Sequence, residues 1–425
     1  MKWRHWVRPE ILLLVGAVQA NLPYLLWRLG YPISRPGKFP ITYRPLYLWI
    51  LAYFAFCLGC FHVSFCLCRK SRHPARLVPF RVVAGVYWPC MFVVVVLVLV
   101  QVVLACRLYG VLPILAFFSG YDIGTMNTAQ DASGFGQLGL LRITVFALNA
   151  LIIVGFVTDI RLKGSNTRKL WGAILVAAFA SVFGGKTQGV FLLGCALFTG
   201  LALVGANPLS VLLSRSFQLS RMSRRRTILV MVVLFFVLAL FHASVHYVRS
   251  PVQKGFRIGY AFTSVGNYLS YPLMNMEKQV AVAGLSGGRS DWRGLLVGLF
   301  PHKLRRSFMA DQSLPENPRV EPTSPSGFLS LPHWCLGLGW MLVFMFVIGV
   351  ICQCLYVQSR RSLFCLLAYS QIAWTLVAAH SYNHFLTLIF IPVPIMVFFV
   401  LSILIKTRPV GLRSACTPGQ DLMTC

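Results

Sequence analysis

The sequence predicts an all-α protein: a polytopic transmembrane bundle of about ten spans with one long loop containing short helices. Three observations lead there. Hydrophobic residues make up 57% of the 425 positions and charged residues only 12%, whereas a soluble domain carries about a quarter charged. The apolar residues fall into runs close to the roughly 20 residues that a spanning helix needs. Lysine and arginine gather between those runs, as expected of loops that face anionic headgroups.

The runs follow in order. Ile11 to Trp27 is the first, preceded by the basic residues Lys2, Arg4 and Arg8. Met1 to Ala20 has the charge and apolar pattern of a secretory signal but no clean small-residue cleavage site, so it reads as an uncleaved first helix. Leu46 to Cys68, Val82 to Cys106 and Leu138 to Val157 are the next three. Leu170 to Ala206 holds two shorter runs joined by Gly184-Gly185-Lys186-Thr187, which fits either two spans or a re-entrant hairpin. Thr227 to Val248, Pro332 to Val357, Ser362 to Ala379 and Phe385 to Ile405 complete the set. Together they form a single integral membrane domain over residues 1–425, with residues 249–331 as a large periplasmic loop between spans seven and eight. No internal repeat of the kind seen in many transporters is visible.

An even number of spans puts both termini on one side. That side then receives the clusters Arg69 to Arg81, Arg161 to Lys169, Arg215 to Arg226 and Arg360-Arg361. The asymmetry makes the termini cytoplasmic. The 249–331 loop is basic too, although long translocated segments are largely exempt from the charge rule.

The formal charge of +29, from 39 Lys plus Arg against 10 Asp plus Glu, would suggest nucleic acid in a soluble protein. Its distribution between apolar runs points to membrane headgroups instead, so no nucleic-acid partner is expected. The 13 cysteines lack metal-site spacing: Cys57 and Cys60 lie inside an apolar run, and no second pair with histidines follows. They read as small apolar residues, and neither metal nor cofactor is expected.

The chemistry concentrates in the long loop. Tyr268 and Tyr271 sit in an amphipathic aromatic passage suited to the membrane interface. Arg257, Arg289 and Arg293 are spaced along the loop, and arginines there can hold a phosphate bidentately and stay charged at any accessible pH. Plain headgroup contact is the simpler role for any one of them. Acidic residues on this side are few: Asp122, Asp131, Glu277, Asp291, Asp311, Glu316 and Glu321. Glu321, in the turn-rich passage before the eighth span, is the first candidate for a base, with His333 behind it; capping of local backbone amides is the structural alternative for Glu321.

Three further positions are polar where apolar residues dominate. His380 and His384 lie in the polar turn between the ninth and tenth spans, where they could touch a glycan or diphosphate more readily than a metal. Arg142 lies just inside the fourth span and either snorkels or faces a cavity in the bundle. Lys186 occupies a glycine-hinged turn that is costly in lipid unless it lines a wet cavity.

The order of spans, the Tyr268-Leu269-Ser270-Tyr271-Pro272 segment opening the loop, and the Glu321-Pro322-Thr323-Ser324-Pro325-Ser326-Gly327-Phe328 turn closing it resemble the O-antigen polymerase (oligosaccharide repeat-unit polymerase) family. The Gly184-Gly185-Lys186-Thr187 turn resembles a family position where a lysine or arginine stands beside small residues. The resemblance implies a bacterial inner-membrane glycosyltransferase working at the periplasmic face without metal. A growing chain on undecaprenyl diphosphate would be moved onto a new lipid-linked repeat unit, possessing a chain-length regulator protein as partner. Positive roles then fall to Arg142, Lys186, Arg257, Arg289 and Arg293, and Tyr268, Tyr271, His380 and His384 are the remaining candidates for substrate contact. Other functions fit the same composition: a transporter or flippase of lipid-linked oligosaccharide, a ligase-like glycan transferase, and a membrane scaffold. A transporter would place polar residues through several spans near the midplane. A scaffold would scatter its outer arginines over the surface.

Overall fold

A computed structural model describes residues 3–29, 42–70, 87–109, 188–204, 258–288, 292–296, 327–359 and 362–380, and isolated positions 172, 175–176, 385, 395–396 and 399. Every regular element among them is helical. After a 3-10 turn at Trp3–Val7 come α1 (Pro9–Arg28), α2 (Arg44–Lys70), α3 (Tyr87–Tyr109) and α4 (Gln188–Leu203). Next are α5 (Ile258–Ala283), the short α6 (Trp292–Leu296), α7 (Ser330–Gln358), α8 (Leu363–Val377) and a 3-10 turn at Ala378–His380.

Six of these helices lie on apolar runs of the sequence. Pro9 starts α1 where a missing N–H costs nothing, and Glu10 adds negative charge at the positive end of the helix. Ser362 starts α8 by accepting a hydrogen bond from the Cys365 N–H at 3.3 Å. Two helices, α2 and α7, are long and apolar enough to cross a membrane, while α1, α3, α4 and α8 carry shorter apolar stretches. The runs Leu138 to Val157 and Thr227 to Val248 lie outside the described residues, as does nearly all of Phe385 to Ile405.

The core is built on two parallel pairs. In the first, the Cys60 thiol donates to the Gly349 carbonyl at 3.4 Å and the Gln353 amide to the Ser64 hydroxyl at 2.8 Å, both with a sequence offset of 289. A constant offset means that α2 and α7 run in the same direction. Glycine permits their close approach: a β-carbon on Gly59 would lie 2.2 Å from the Phe346 carbonyl oxygen, and one on Gly349 would lie 2.3 Å from that of Phe56. Small residues that let helix backbones touch are the usual way to pack apolar helices without a hydrophobic driving force.

In the second pair, α1 and α8 are also parallel. The Tyr369 hydroxyl donates to the Val7 carbonyl at 2.6 Å near their starts. Further along, Gly16 faces the carbonyls of Leu376 and Val377. The bundle therefore has two distinct ends. At one, Arg4 donates to the Tyr356 hydroxyl at 3.3 Å and carbonyl at 3.2 Å, and Trp3 meets Phe198 of α4 edge-on at 6.0 Å. The other gathers the start of α2, the second half of α5, and the starts of α7 and the Ala378–His380 turn, where the Phe328 N–H donates to the Ala379 carbonyl at 3.0 Å.

The segment read as a loop with short helices contains a helix of 26 residues, α5, which continues through Pro272. Leu273, Met276, Val280 and Ala283 recur at helical spacing and are all buried. They set α5 against α1, α2 and α7. This part of the loop thus belongs to the body of the bundle.

Candidate functional site

The end that carries Thr42 is where the polar chemistry of the described residues meets the loop. Glu277 is buried on α5, and its carboxylate accepts from the Thr42 hydroxyl at 2.7 Å and from the Thr42 backbone N–H at 3.2 Å. Because Thr42 lies two residues before α2 and its hydroxyl accepts from the Arg44 N–H at 3.2 Å, this pairing ties the start of α2 to α5. Two residues beyond Glu277, the Gln279 amide donates to the Ser330 hydroxyl at 2.5 Å, which joins α5 to the first residue of α7. A buried carboxyl group is tolerated here because each of its oxygens accepts a hydrogen bond.

The next contact involves a broken helix. Gly337 lies inside α7 with φ 78° and ψ 175°, so the helix is interrupted there. The turn following α5 fills the break: the Gly288 N–H donates to the His333 carbonyl at 3.1 Å, and the Leu338 N–H donates to the Ser286 carbonyl at 2.8 Å. These two bonds occupy a carbonyl and an N–H that an unbroken helix would have paired internally. His333 adds a third link, with its Nε2 3.0 Å from the Leu285 carbonyl. A carbonyl only accepts, so Nε2 carries the proton. The His333 Nδ1 is buried with no hydrogen-bond partner.

Beyond Gly288, the chain carries Arg289 and then α6 with Arg293. Leu295 of α6 is buried with Ala283, Trp334 and Cys335, so the short helix is held against the start of α7. Arg293 is half-buried on it.

The structure thus brings together two of the expected site residues, His333 and Arg293, at the start of α7. Tyr271 is half-buried on α5; Tyr268 lies one turn earlier on the same helix, and His380 ends the last 3-10 turn. Glu321, Arg289, Arg142, Lys186, Arg257 and His384 lie outside the described residues. Among the described residues, no three His, Cys, Asp or Glu side chains group as metal ligands would.

Sequence reading missed the Glu277–Thr42 pair and the break at Gly337. Glu277 had a signal: it is an isolated carboxylate on an otherwise apolar helical stripe, where a buried charge needs a partner. Gly337 had none, since glycine is common in apolar helices. Comparison with protein-family models, with curated proteins and with solved structures finds no match.

Proposed function

We propose that the chain is a multi-pass bacterial inner-membrane glycosyltransferase that polymerises undecaprenyl-diphosphate-linked oligosaccharide repeat units at the periplasmic face. The observation that carries this reading is the attachment of the basic 249–331 segment to the bundle. Through α5 and α6 it is tied to the ends of α1, α2 and α7, instead of standing apart as a soluble module. Arg293 on α6 is thereby kept next to the apolar helices, where a lipid-linked diphosphate would present its charge.

The exposed helix faces support a lipid environment. Tyr47, Ile50, Phe54, Leu58, Phe61 and Phe65 form an exposed stripe along α2, and Trp340, Val343, Val347 and Ile351 do so along α7. Continuous apolar surface of this kind is unfavourable in water and ordinary in a bilayer. The parallel courses of α2 with α7 and of α1 with α8 each require an odd number of crossings between the members of the pair, which the ten-span order supplies. In that order both termini are cytoplasmic and the Thr42 end is periplasmic.

In the proposed reaction a hydroxyl of the incoming repeat unit attacks the anomeric carbon of the growing chain. The bond from that carbon to the diphosphate oxygen breaks, and the lipid diphosphate departs with the electron pair. Arg142, Lys186, Arg257, Arg289 and Arg293 hold the diphosphates, and positioned cations of this type stabilise charge as it develops on the leaving group. Glu321 takes the proton from the attacking hydroxyl. Tyr268, Tyr271, His380 and His384 contact the sugars, and a chain-length regulator protein is the expected partner.

A transporter would use a broken helix such as α7 to bind its cargo through freed backbone groups. Here the carbonyl of His333 and the N–H of Leu338 are already taken by the Ser286–Gly288 turn, which favours the enzymatic reading.

Substitution tests it directly. Arg257→Ala, Arg289→Ala and Lys186→Ala should each shift surface polysaccharide from long chains to single repeat units, at unchanged protein level. Normal long chains in all three stable variants would remove the diphosphate-holding role.

A further inference from the structure

We infer that His333 is a positioning residue, which locks onto the break in α7 the Leu285–Gly288 turn that precedes α6 and its Arg293, and that it is not the base. The consequence for catalysis rests on the glycosyl-transfer reading; the lock itself does not.

Its geometry is that of a clasp. The imidazole donates from Nε2 to the Leu285 carbonyl at 3.0 Å, and the backbone carbonyl of the same residue accepts from Gly288 at 3.1 Å. One residue therefore holds both ends of the turn from Leu285 to Gly288. Gly287 packs directly on it: a β-carbon there would lie 2.3 Å from the His333 carbonyl oxygen and 2.9 Å from Nε2. Gly287 and Gly288 both have positive φ, at 63° and 73°, so the turn has the backbone that glycine permits.

A base needs a nitrogen that can reach the substrate proton. His333 is 0% exposed, and its Nε2 is committed to a backbone carbonyl. The free lone pair is on Nδ1, which is itself buried, so reaching a sugar hydroxyl would require the packing around the ring to open. As a clasp, in contrast, it acts where an arm needs support. The chain leaves Gly288 into Arg289 and is anchored again at Leu295, which is buried beside Trp334 and Cys335. Both anchors fall on the first turns of α7, and Arg293 on α6 shares that footing.

Two substitutions separate the roles. Glutamine can offer an N–H at about the reach of Nε2 but cannot serve as a base at neutral pH. Phenylalanine fills the space and offers no donor. The full chain is expressed in its native strain lacking the chromosomal copy. Polysaccharide chain length and the pH dependence of polymerisation in isolated membranes are measured. In parallel, the purified protein in detergent is treated with trypsin, and cleavage after Arg289 and Arg293 is followed by mass spectrometry.

His333→Gln should retain long chains and the wild-type pH profile, with cleavage at both arginines as slow as in wild type. His333→Phe should speed that cleavage several-fold and shorten the chains. A loss of about 100-fold or more in rate for His333→Gln with unchanged cleavage would identify a base and overturn the proposal. Unchanged cleavage in His333→Phe would overturn the clasp. If His333→Phe does not accumulate, the activity and pH profile of His333→Gln decide between the roles. Faster cleavage in His333→Phe from a protein whose wild type makes no polymer would leave the clasp standing and remove the polymerase reading.

Discussion

Replacing Gly59 or Gly349 by alanine is expected to destabilise the bundle by about 1–3 kcal/mol or more, the range for forcing extra carbon into a packed interior. Each added β-carbon would fall well inside contact distance of a backbone carbonyl on the facing helix, at 2.2 Å for Gly59 and 2.3 Å for Gly349. A backbone atom cannot rotate away as a side-chain tip can, so α2 and α7 must separate. That separation strains the Cys60 to Gly349 and Gln353 to Ser64 hydrogen bonds along the same seam. The two sites share one interface, and moving the helices apart relieves both clashes. The double variant should accordingly cost less than the sum of the single ones. Gly339 is the control on α7: a β-carbon there meets nothing within 4 Å. Gly339→Ala should leave stability unchanged or raise it by up to about 1 kcal/mol through helix propensity. Thermal unfolding of the purified protein in detergent reads all four variants.

Gly287→Ala is expected to have the second large effect. Two costs add there. Alanine at φ 63° carries a conformational penalty of roughly 1–2 kcal/mol. Its β-carbon also meets the His333 carbonyl at 2.3 Å, which forces the turn away from α7 and breaks the Gly288 to His333 hydrogen bond. Gly284 separates these contributions, because it shares the positive φ, at 71°, but its β-carbon would meet only the Ser286 hydroxyl at 3.8 Å. Gly284→Ala should therefore cost about 1–2 kcal/mol. Gly287→Ala should cost distinctly more and speed trypsin cleavage after Arg293. Equal unfolding midpoints for the two variants would mean that the turn does not press on His333.

These glycines also mark where sequence stops being sufficient. Hydropathy located α1, α2, α3, α7 and α8 because their apolar character is local and continuous, and Pro9 and Ser362 fixed two helix starts by equally local chemistry. The burial of α5 was not legible in the same way. Its stripe is interleaved with Asn275, Glu277 and Gln279, polar residues that suggest a surface until their partners are known. Those partners, Thr42 and Ser330, lie 235 and 51 residues away. The break in α7 has a similar cause. Gly337 can adopt its positive φ in any setting, but only the turn at Ser286–Gly288, from another part of the chain, makes that conformation satisfy the backbone.

The same distinction applies to the site. Arginine clusters announce charge, and the loop announced its basic character plainly. Which groups share a footing depends on tertiary contact, and His333 illustrates this. From sequence it was a base held in reserve behind Glu321; in the fold its ring is fully enclosed and its Nε2 is spent on Leu285.

Reconstitution tests the central claim most directly. The purified chain is placed in proteoliposomes with lipid-linked repeat units extracted from its native strain, and glycan length and released undecaprenyl diphosphate are measured together. Polymerisation predicts lengthening chains with one lipid diphosphate released per new linkage, both lost in Arg289→Ala. Repeat units that cross the bilayer without lengthening and without release of the lipid diphosphate would contradict the account and make the protein a transporter.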